Sequence, residues 1–172
     1  MNTITNKLDQ AILATTVEAG KYLTFTLANE EYGIGILKVK EIIGMIPITS
    51  VPKTPEFVKG VINLRGKVLP VIDLRLKFNM GEIPYTERTC IIVVEIDARD
   101  EMMLVGIVVD AVSEVLSITK ESIEGPPAFG AKLSTDYILG MAKTDTGVKI
   151  LLHIDKVLNQ EDISLVKGKT IV

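Results

Sequence analysis

Residues 60–75 read GVINLRGKVLPVIDLR, and this stretch decides how the rest of the chain is interpreted. Two runs rich in β-branched residues flank the short polar turn Asn63-Leu64-Arg65-Gly66, a pattern that predicts a β-hairpin. Asn and Gly, which bracket the turn, are residue types that tolerate a left-handed backbone. We therefore expect Arg65 to be held in solvent by rigid flanking strands, where a residue is available for contacts with a partner.

Other parts of the chain also have the patterns of strands. Residues 21–27, KYLTFTL, alternate in polarity with the period of two expected for a half-buried strand. Residues 90–96, CIIVVEI, form a short apolar run that is typical of a buried strand. Aromatic residues make up 5% of the chain and Trp is absent, whereas Ile, Val and Leu are abundant. We therefore predict a mainly β protein with an aliphatic core.

The second half of the sequence resembles the first. Residues 33–43 align with residues 106–116 without a gap, at an offset of 106 − 33 = 73, with Gly, Ile, Val and Glu identical. Residues 60–73 align with residues 140–155 at an initial offset of 140 − 60 = 80, with a slightly longer turn in the second copy. This similarity favours a tandem duplication whose two units complete each other's cores. Chance similarity between buried strands rich in Ile and Val is the alternative.

Each repeated unit has room for about five short strands, which close into a small barrel without exposed edges. We predict two packed β-barrels, the first centred on residues 33–80 and the second on residues 90–158. Residues 1–20 are expected to form a flexible N-terminal tail, and residues 168–172 a C-terminal tail.

Composition narrows the class of function. The chain has 172 residues and a net charge of −3, so neither nucleic acid nor an anionic membrane is an obvious partner. No apolar run approaches the roughly 20 residues that a membrane span requires. The N-terminus lacks the pattern of a secretory signal, and a single cysteine cannot form an intramolecular disulfide. We therefore expect a soluble cytoplasmic protein with protein partners.

Residues with catalytic potential are few. His153 is the only histidine and lies in the apolar run LLHID, and Cys90 opens a predicted strand, so both are expected to be packed side chains. One His and one Cys are too few for a structural zinc site with four ligands. Asp73 and Asp155 are expected to cap short helices. We expect no catalysis, no metal and no cofactor.

Three ordered blocks resemble the CheW family of bacterial chemotaxis coupling proteins: EEYGIGILKVKEIIG, TPEFVKGVINLRGKVLPVIDLRLKF and VGIVVDAVSEVLSI. The resemblance spans residues 21–167. It implies a fold of two SH3-like five-stranded β-barrels packed side by side. It also implies a non-enzymatic adaptor that joins the regulatory domain of the CheA histidine kinase to the cytoplasmic tips of methyl-accepting chemoreceptors. Such an adaptor is cytoplasmic and is recruited to membrane-associated receptor arrays. Whether its own copies associate there is a question that the sequence leaves open.

The resemblance places a receptor-binding groove between the barrels, near the NLRG loop. It implies six receptor-binding residues in this chain: Val39, Glu41, Gly60, Asn63, Leu64 and Arg65. We expect Leu64 and Val39 to supply apolar contacts and Arg65 to pair with a carboxylate on a receptor helix. In the alternative, Arg65 pins its own loop by bonding to carbonyls or to Glu41, and Val39 lies in the core. The kinase contact is expected to involve the unit that contains Gly33 to Ile36, since the regulatory domain has the same fold.

Three other functions stay open. One is a small barrel that stacks nucleic-acid bases on aromatic residues in a basic groove, which the net charge and the few aromatic residues disfavour. Another is a ligand-binding or enzymatic barrel, which the missing catalytic set disfavours. Within the family, an adaptor for a chemosensory pathway that controls pili or gene expression is the third.

Overall fold

The structure is a computed structural model that describes residues 20–98, 101–125 and 136–158. Strands dominate these residues, and the helices among them are short. The predicted mainly β fold is therefore confirmed. The predicted tails, residues 1–20 and 168–172, lie outside the described residues apart from position 20.

The described elements are two helices of one turn, two short 3-10 turns at Ile36–Lys38 and Lys120–Ser122, and eleven strands. The helices are α1 (Leu74–Lys77) and α2 (Ile154–Val157). The strands are β1 (Lys21–Leu27), β2 (Glu30–Gly35), β3 (Val39–Gly44), β4 (Val58–Leu64), β5 (Lys67–Asp73), β6 (Cys90–Ala98), β7 (Glu101–Val109), β8 (Ala111–Ser117), β9 (Ile123–Glu124), β10 (Ile138–Thr144) and β11 (Gly147–Leu152).

The strands form two sheets. The six-stranded sheet has the order β8-β1-β2-β11-β10-β9, and the five-stranded sheet has the order β3-β6-β7-β5-β4. The pairs β2–β11 and β5–β7 are parallel, whereas the other named pairs are antiparallel. An isolated bridge between Thr49 and Val61 adds a partner to β4.

The two repeats exchange their first hairpins. The hairpin β1–β2 pairs with β8 and β11, which come from the second repeat. The hairpin β6–β7 pairs with β3 and β5, which come from the first repeat. The predicted centres, residues 33–80 and 90–158, therefore do not coincide with the sheets, because β6 and β7 belong to the sheet of β3, β4 and β5. Similarity between repeats shows that they are related, and it does not show which strands pair.

Glycines shared by the repeats occupy equivalent places in this exchanged arrangement. Gly33 on β2 lies beside Leu151 on β11, and Gly106 on β7 lies beside Val71 on β5. A Cβ added at Gly33 would lie 2.9 Å from Leu151 Cδ2, and one at Gly106 would lie 2.8 Å from Ile91 Cγ2. Both positions lack room for a larger residue, which explains the shared glycine.

The hairpins β4–β5 and β10–β11 have turns of the same length. Leu64 pairs with Lys67 and Thr144 pairs with Gly147, so the offset of 144 − 64 = 80 continues through the turn. The longer second turn that the sequence suggested is therefore wrong. The two extra residues of the second copy lie after the paired strands, so they do not lengthen the turn.

The two aspartates expected to cap helices have different roles. Asp73 precedes α1 and accepts hydrogen bonds from the backbone N–H groups of Arg75 and Leu76, as predicted. At the equivalent position before α2 stands His153, which makes no side-chain cap. Asp155 lies within α2, so the expectation that it caps this helix is wrong.

One large core cluster draws side chains from both sheets. Within it and at its margin, four aromatic rings stack in the order Phe25, Tyr32, Phe78 and Tyr137, with centroid separations of 6.0, 6.4 and 5.7 Å. Phe78 follows α1, next to the five-stranded sheet. Its two neighbours in the stack, Tyr32 and Tyr137, belong to the region of the six-stranded sheet. This shared packing joins the two sheets.

Candidate functional site

The hairpin β4–β5 ends in a two-residue turn formed by Arg65 and Gly66. Leu64 pairs with Lys67 across the turn, and φ is 51° at Arg65 and 87° at Gly66. Two successive left-handed residues are typical of a type I′ turn, whose twist matches that of the flanking strands. Asn63 Oδ1 accepts a hydrogen bond of 2.9 Å from the backbone N–H of Gly66. The predicted turn is present, although Arg65, and not Asn63, adopts the left-handed backbone together with Gly66.

Arg65 reaches from this turn to strand β3. Its guanidinium Nη2 donates to Oε1 of Glu41 in an ion pair. The side chain of Arg65 is nevertheless 70% exposed, and that of Glu41 is 27% exposed. The hydrogen bond to Glu41, reinforced by the charge of this carboxylate, raises the pKa of Arg65. The internal role that the sequence left open for Arg65 is therefore present, and most of its side chain stays accessible to solvent.

Four of the six predicted contact residues are buried or half-buried, and Glu41, described above, is one of them. Val39 is 3% exposed, and its side chain belongs to the large core cluster. Gly60 has a φ of 140°, and a Cβ there would lie 1.9 Å from the carbonyl oxygen of Thr49. Leu64 packs partly against the smaller cluster that contains Ile62. The surface that the predicted set offers to a partner is therefore mainly polar and lies at the hairpin tip.

Val68 is an exposed residue that the sequence analysis missed. It pairs directly with Asn63 and is 60% exposed. Because directly opposed residues of antiparallel strands share a face, Val68 adds apolar area beside Asn63. We call Glu41, Asn63, Arg65 and Val68 the tip surface. The unbroken apolar run that follows the turn concealed Val68, since such a run does not indicate which side chain points outward.

The equivalent hairpin β10–β11 presents a different surface. Its turn consists of Asp145 and Thr146, and the hydroxyl of Thr144 donates to the carbonyl oxygen of Gly147 at 3.0 Å. Val148, the counterpart of Val68, is 53% exposed. Residues 142–147 contain neither Leu nor Arg. The combination of an exposed arginine and a paired glutamate is thus particular to the first hairpin.

An apolar cavity of about 220 Å³ lies where the aromatic stack meets the six-stranded sheet. None of the six predicted receptor-binding residues lines it. Burial in this region raises the pKa of Tyr32. The lining residues are Tyr32, Phe78, Tyr137, Ile138, Met141, Ile150 and Leu152.

The sequence analysis considered two residues for catalysis, Cys90 and His153, and the structure describes the surroundings of both. Cys90 is buried, and burial raises the pKa of its thiol to about 11, so the thiol is protonated at neutral pH. The backbone N–H of His153 donates to the carbonyl oxygen of Tyr137 at 2.7 Å. Within residues 20–98, 101–125 and 136–158, no group of three or more His, Cys, Asp or Glu side chains could hold a metal ion. No helix in these ranges is long and apolar enough to span a membrane.

Comparisons with known proteins agree with one another. A family model described as the CheW-like domain matches residues 21–162. The chemotaxis protein CheW of Klebsiella aerogenes is 47% identical over 146 residues, which cover 85% of this chain and 86% of that protein. The chemotaxis protein CheW of Bacillus subtilis is 34% identical, with 82% of this chain and 88% of that protein covered.

A solved structure is similar over most of its length. The crystal structure of the scaffolding protein TtCheW from Thermoanaerobacter tengcongensis matches with a TM-score of 0.73 and 39% identity. The match covers 84% of this chain and 95% of that chain. The fold and the sequence similarity therefore point to the same family.

Proposed function

The chain belongs to the CheW family, and we propose that it is a non-enzymatic adaptor in bacterial chemotaxis signalling. In this role it couples the cytoplasmic tips of methyl-accepting chemoreceptors to the CheA histidine kinase. The observation that carries the proposal is the match of the CheW-like family model to residues 21–162. The protein would act in the cytoplasm, at membrane-associated receptor arrays.

For the receptor contact we propose the tip surface. A guanidinium has five N–H donors in a planar fork, so Arg65 can bond to Glu41 and to a second carboxylate. Val68 supplies apolar area next to Asn63. A receptor tip is a bundle of helices, and one helix face offers both carboxylates and apolar side chains. The tip surface has the chemistry to bind such a face.

Three members of the predicted receptor set, two buried and one half-buried, pack beneath the tip surface. Val39 begins β3, the strand that carries Glu41, and its side chain fixes that strand in the core. Gly60 lets β4 approach the backbone of Thr49 closely. Leu64 precedes the turn and packs below it. We propose that these three residues influence receptor binding through the position of Glu41 and Arg65.

The kinase contact is proposed to lie on a different surface, because an adaptor must hold both partners at once. The tip surface belongs to the five-stranded sheet, whereas Gly33 to Gly35 belong to β2 of the six-stranded sheet. We expect the regulatory domain of the kinase to dock against the unit that contains this strand. Each contact can be weak, since many copies in an array add to the overall avidity. Association between copies of the adaptor would strengthen such an array further.

Separate binding measurements test the adaptor function. The purified chain is titrated with a CheA regulatory domain and, in a second experiment, with a receptor signalling fragment. We expect saturable binding to each. Failure to bind either partner would overturn the adaptor function. Retention on single-stranded DNA at physiological salt would favour the nucleic-acid alternative instead.

A further inference from the structure

The two sheets differ on the face that is turned away from the large core cluster. On this face the five-stranded sheet carries the smaller cluster that contains Ile62, with seven buried apolar residues. The six-stranded sheet carries a third cluster, in which three residues are buried: Ile118, Ala142 and Leu151. Polar side chains occupy positions of the six-stranded sheet whose equivalents in the five-stranded sheet are apolar.

Two of these positions are occupied by a charged pair. The hairpin offset of 149 − 69 = 80 makes Lys149 the equivalent of Leu69. The offset of 104 − 31 = 73, which relates β2 to β7, makes Glu31 the equivalent of Leu104. Leu69 is buried in the cluster of the five-stranded sheet, and Leu104 packs against it. The same architecture is therefore built with leucines in one sheet and with charges in the other.

Lys149 is a buried cation with unused donors. It forms an ion pair with Glu31, and the side chains of the two residues are 7% and 39% exposed. A buried ion pair is often no more stabilising than apolar residues of similar volume, so stability alone does not explain these charges. An ammonium group has three N–H donors, and Glu31 is the one partner of Lys149 Nζ in the part of the chain that the structure describes. Buried donors need acceptors, which a ligand can supply.

A pocket of about 390 Å³ gives access to Lys149. The pocket lies between the end of β8 and the turn of the hairpin β10–β11. Lys149 is 6% exposed and is the most buried residue of the lining, so it forms the floor. The hydroxyl groups of five Ser and Thr residues also line the pocket, and so do the apolar side chains of Leu116 and Ile118.

The mouth of the pocket is negatively charged. Glu114 and Asp145 line it, are exposed, and have no ion-pair partner among the described residues. Lys143 also lines the pocket, but it forms an ion pair with Glu124. The fully buried Thr24 fixes the position of Glu114, because its Oγ1 donates to the carbonyl oxygen of Glu114 at 2.9 Å and accepts from the N–H of that residue at 3.1 Å. Two unpaired carboxylates are thus available to a cation.

The equivalent place on the five-stranded sheet holds a cation of the chain itself. The offset of 114 − 41 = 73 relates Glu114 to Glu41, and the offset of 145 − 65 = 80 relates Asp145 to Arg65. There the guanidinium of Arg65 binds the carboxylate of Glu41. An aspartate in place of the arginine leaves Glu114 without a cation from its own hairpin, so a ligand can supply one.

We propose that the pocket binds a free α-amino acid as a zwitterion. The carboxylate of the ligand accepts hydrogen bonds from Lys149 and from hydroxyl groups of the lining, and its ammonium donates to Glu114 and Asp145. A cation at the floor and anions at the mouth are complementary to a zwitterion, whereas a ligand with a single charge is repelled at one end. The mouths of β-barrels are common places for small ligands. The tip surface lies on the other sheet, so this site is additional to the proposed adaptor function.

Titration with single amino acids tests the proposal. Isotope-labelled protein is titrated with each standard amino acid, and the amide resonances of β8 and of the hairpin β10–β11 are followed by NMR. Because Leu116 and Ile118 line the pocket, we expect saturable shifts with an amino acid that has an apolar side chain, with a Kd below about 1 mM. N-acetylation removes the positive charge of this amino acid and amidation removes its negative charge, and each change should raise the Kd at least about tenfold. Absence of saturable shifts, or equal binding of the zwitterion and its two derivatives, overturns the proposal.

A double variant separates binding from folding. Glu31→Leu with Lys149→Leu introduces the residues that the five-stranded sheet has at the equivalent positions. We expect this variant to fold and, without ligand, to keep or raise the midpoint of urea denaturation. Binding of the amino acid should be lost. A folded variant that binds the amino acid as tightly as the parent overturns the role of Lys149 and with it the proposal.

The mouth of the pocket is tested by a second pair of substitutions. Glu114→Gln with Asp145→Asn keeps the size of both side chains and removes their charges, so we expect the Kd for the amino acid to rise at least about tenfold. Lys40→Gln with Glu95→Gln is the matched control, because it removes charges from a partly exposed ion pair between β3 and β6. The control should bind the amino acid like the parent. An equal Kd for the mouth variant and the control overturns the proposal.

Discussion

Arg65 at the tip of the β4–β5 hairpin forms an ion pair with Glu41 on strand β3, and 70% of the arginine side chain remains exposed. The hairpin is thus tied to β3 by an arginine that keeps donors for a second partner. Because the pair is solvent-exposed, its contribution to folding is small. This separation between a small role in folding and a proposed role in binding can be measured.

Replacing Arg65 with Ala should weaken receptor binding more than it weakens the fold. We expect Arg65→Ala to raise the Kd for a receptor signalling fragment by at least about tenfold, as for an interface hot spot. The temperature of thermal unfolding should stay close to that of the parent. Calorimetric titration and circular dichroism measure the two quantities.

Arg88→Ala is the matched control, since Arg88 is an exposed arginine of the connection before β6. It should leave the Kd for the receptor fragment unchanged. Receptor binding that is normal in Arg65→Ala, or a loss that is equal in both variants, would remove Arg65 from the binding surface.

Gly60 should tolerate no side chain. A Cβ at this position would lie 1.9 Å from the carbonyl oxygen of Thr49, and the φ of 140° is strained for other residues. We expect Gly60→Ala to lower the free energy of unfolding by more than about 2 kcal/mol. Urea denaturation followed by circular dichroism provides the measurement.

Gly44 is a suitable comparison for Gly60, because an added Cβ there has no neighbour within 4 Å. Gly44→Ala should change the free energy of unfolding by no more than about 0.5 kcal/mol. Equal effects of the two substitutions would show that close approach to Thr49 does not explain Gly60.

Asp73 should be important for stability beyond its cap on α1. Asp73 is 3% exposed, and its carboxylate accepts hydrogen bonds from the backbone N–H groups of Arg75 and Leu76 and from the hydroxyl of Tyr85. Asp73→Ala leaves three donors without this acceptor, and we expect a loss of about 2 kcal/mol in the free energy of unfolding. Tyr85→Phe removes one of these bonds and should cost about 1 kcal/mol or less. A larger loss from Tyr85→Phe than from Asp73→Ala would contradict this account.

Cys90 should make the fold sensitive to alkaline pH. Burial raises the pKa of its thiol to about 11, so the folded state holds this proton more tightly than the unfolded state does. The contribution of the protonated thiol is complete below the pKa of an unfolded cysteine, and it decreases as the pH rises from there towards about 11. Urea denaturation of the parent and of Cys90→Ala between pH 8 and pH 11 measures this effect. The contributions of the other titrating groups are the same in both proteins and cancel in the comparison. Identical pH profiles would contradict the assignment.

Local sequence patterns predicted the strands well but not the way in which they pair. The alternation in residues 21–27 indicated β1 correctly, and the repeated glycines at 33 and 106 indicated a duplication. The exchange of hairpins had no signal in these local patterns, because periodicity indicates which face of a strand is apolar and does not indicate which strand it pairs with. The sequence alignment matched Asp73 with Asp155 because both are aspartates. In the structure the offset between the two hairpins is 80 residues, so the equivalent of Asp73 is His153.

Among the predicted receptor-binding residues, Arg65 and Glu41 form an ion pair, which the sequence analysis included as one alternative for Arg65. Receptor binding by these residues stays a prediction. Val39 proved to be a core residue, because a Val in a strand has the same pattern whether its side chain points inward or outward. Val68 was missed for the same reason. Burial depends on the packing of distant strands, which short-range periodicity does not report.

Formation of a ternary complex tests the central claim most directly. The chain, a CheA regulatory domain and a receptor signalling fragment are mixed at concentrations above their separate dissociation constants and analysed by size-exclusion chromatography. An adaptor with two distinct surfaces predicts one peak that contains all three proteins, larger than either binary complex. Displacement of the kinase domain by the receptor fragment, with only binary complexes at every ratio, would contradict the account.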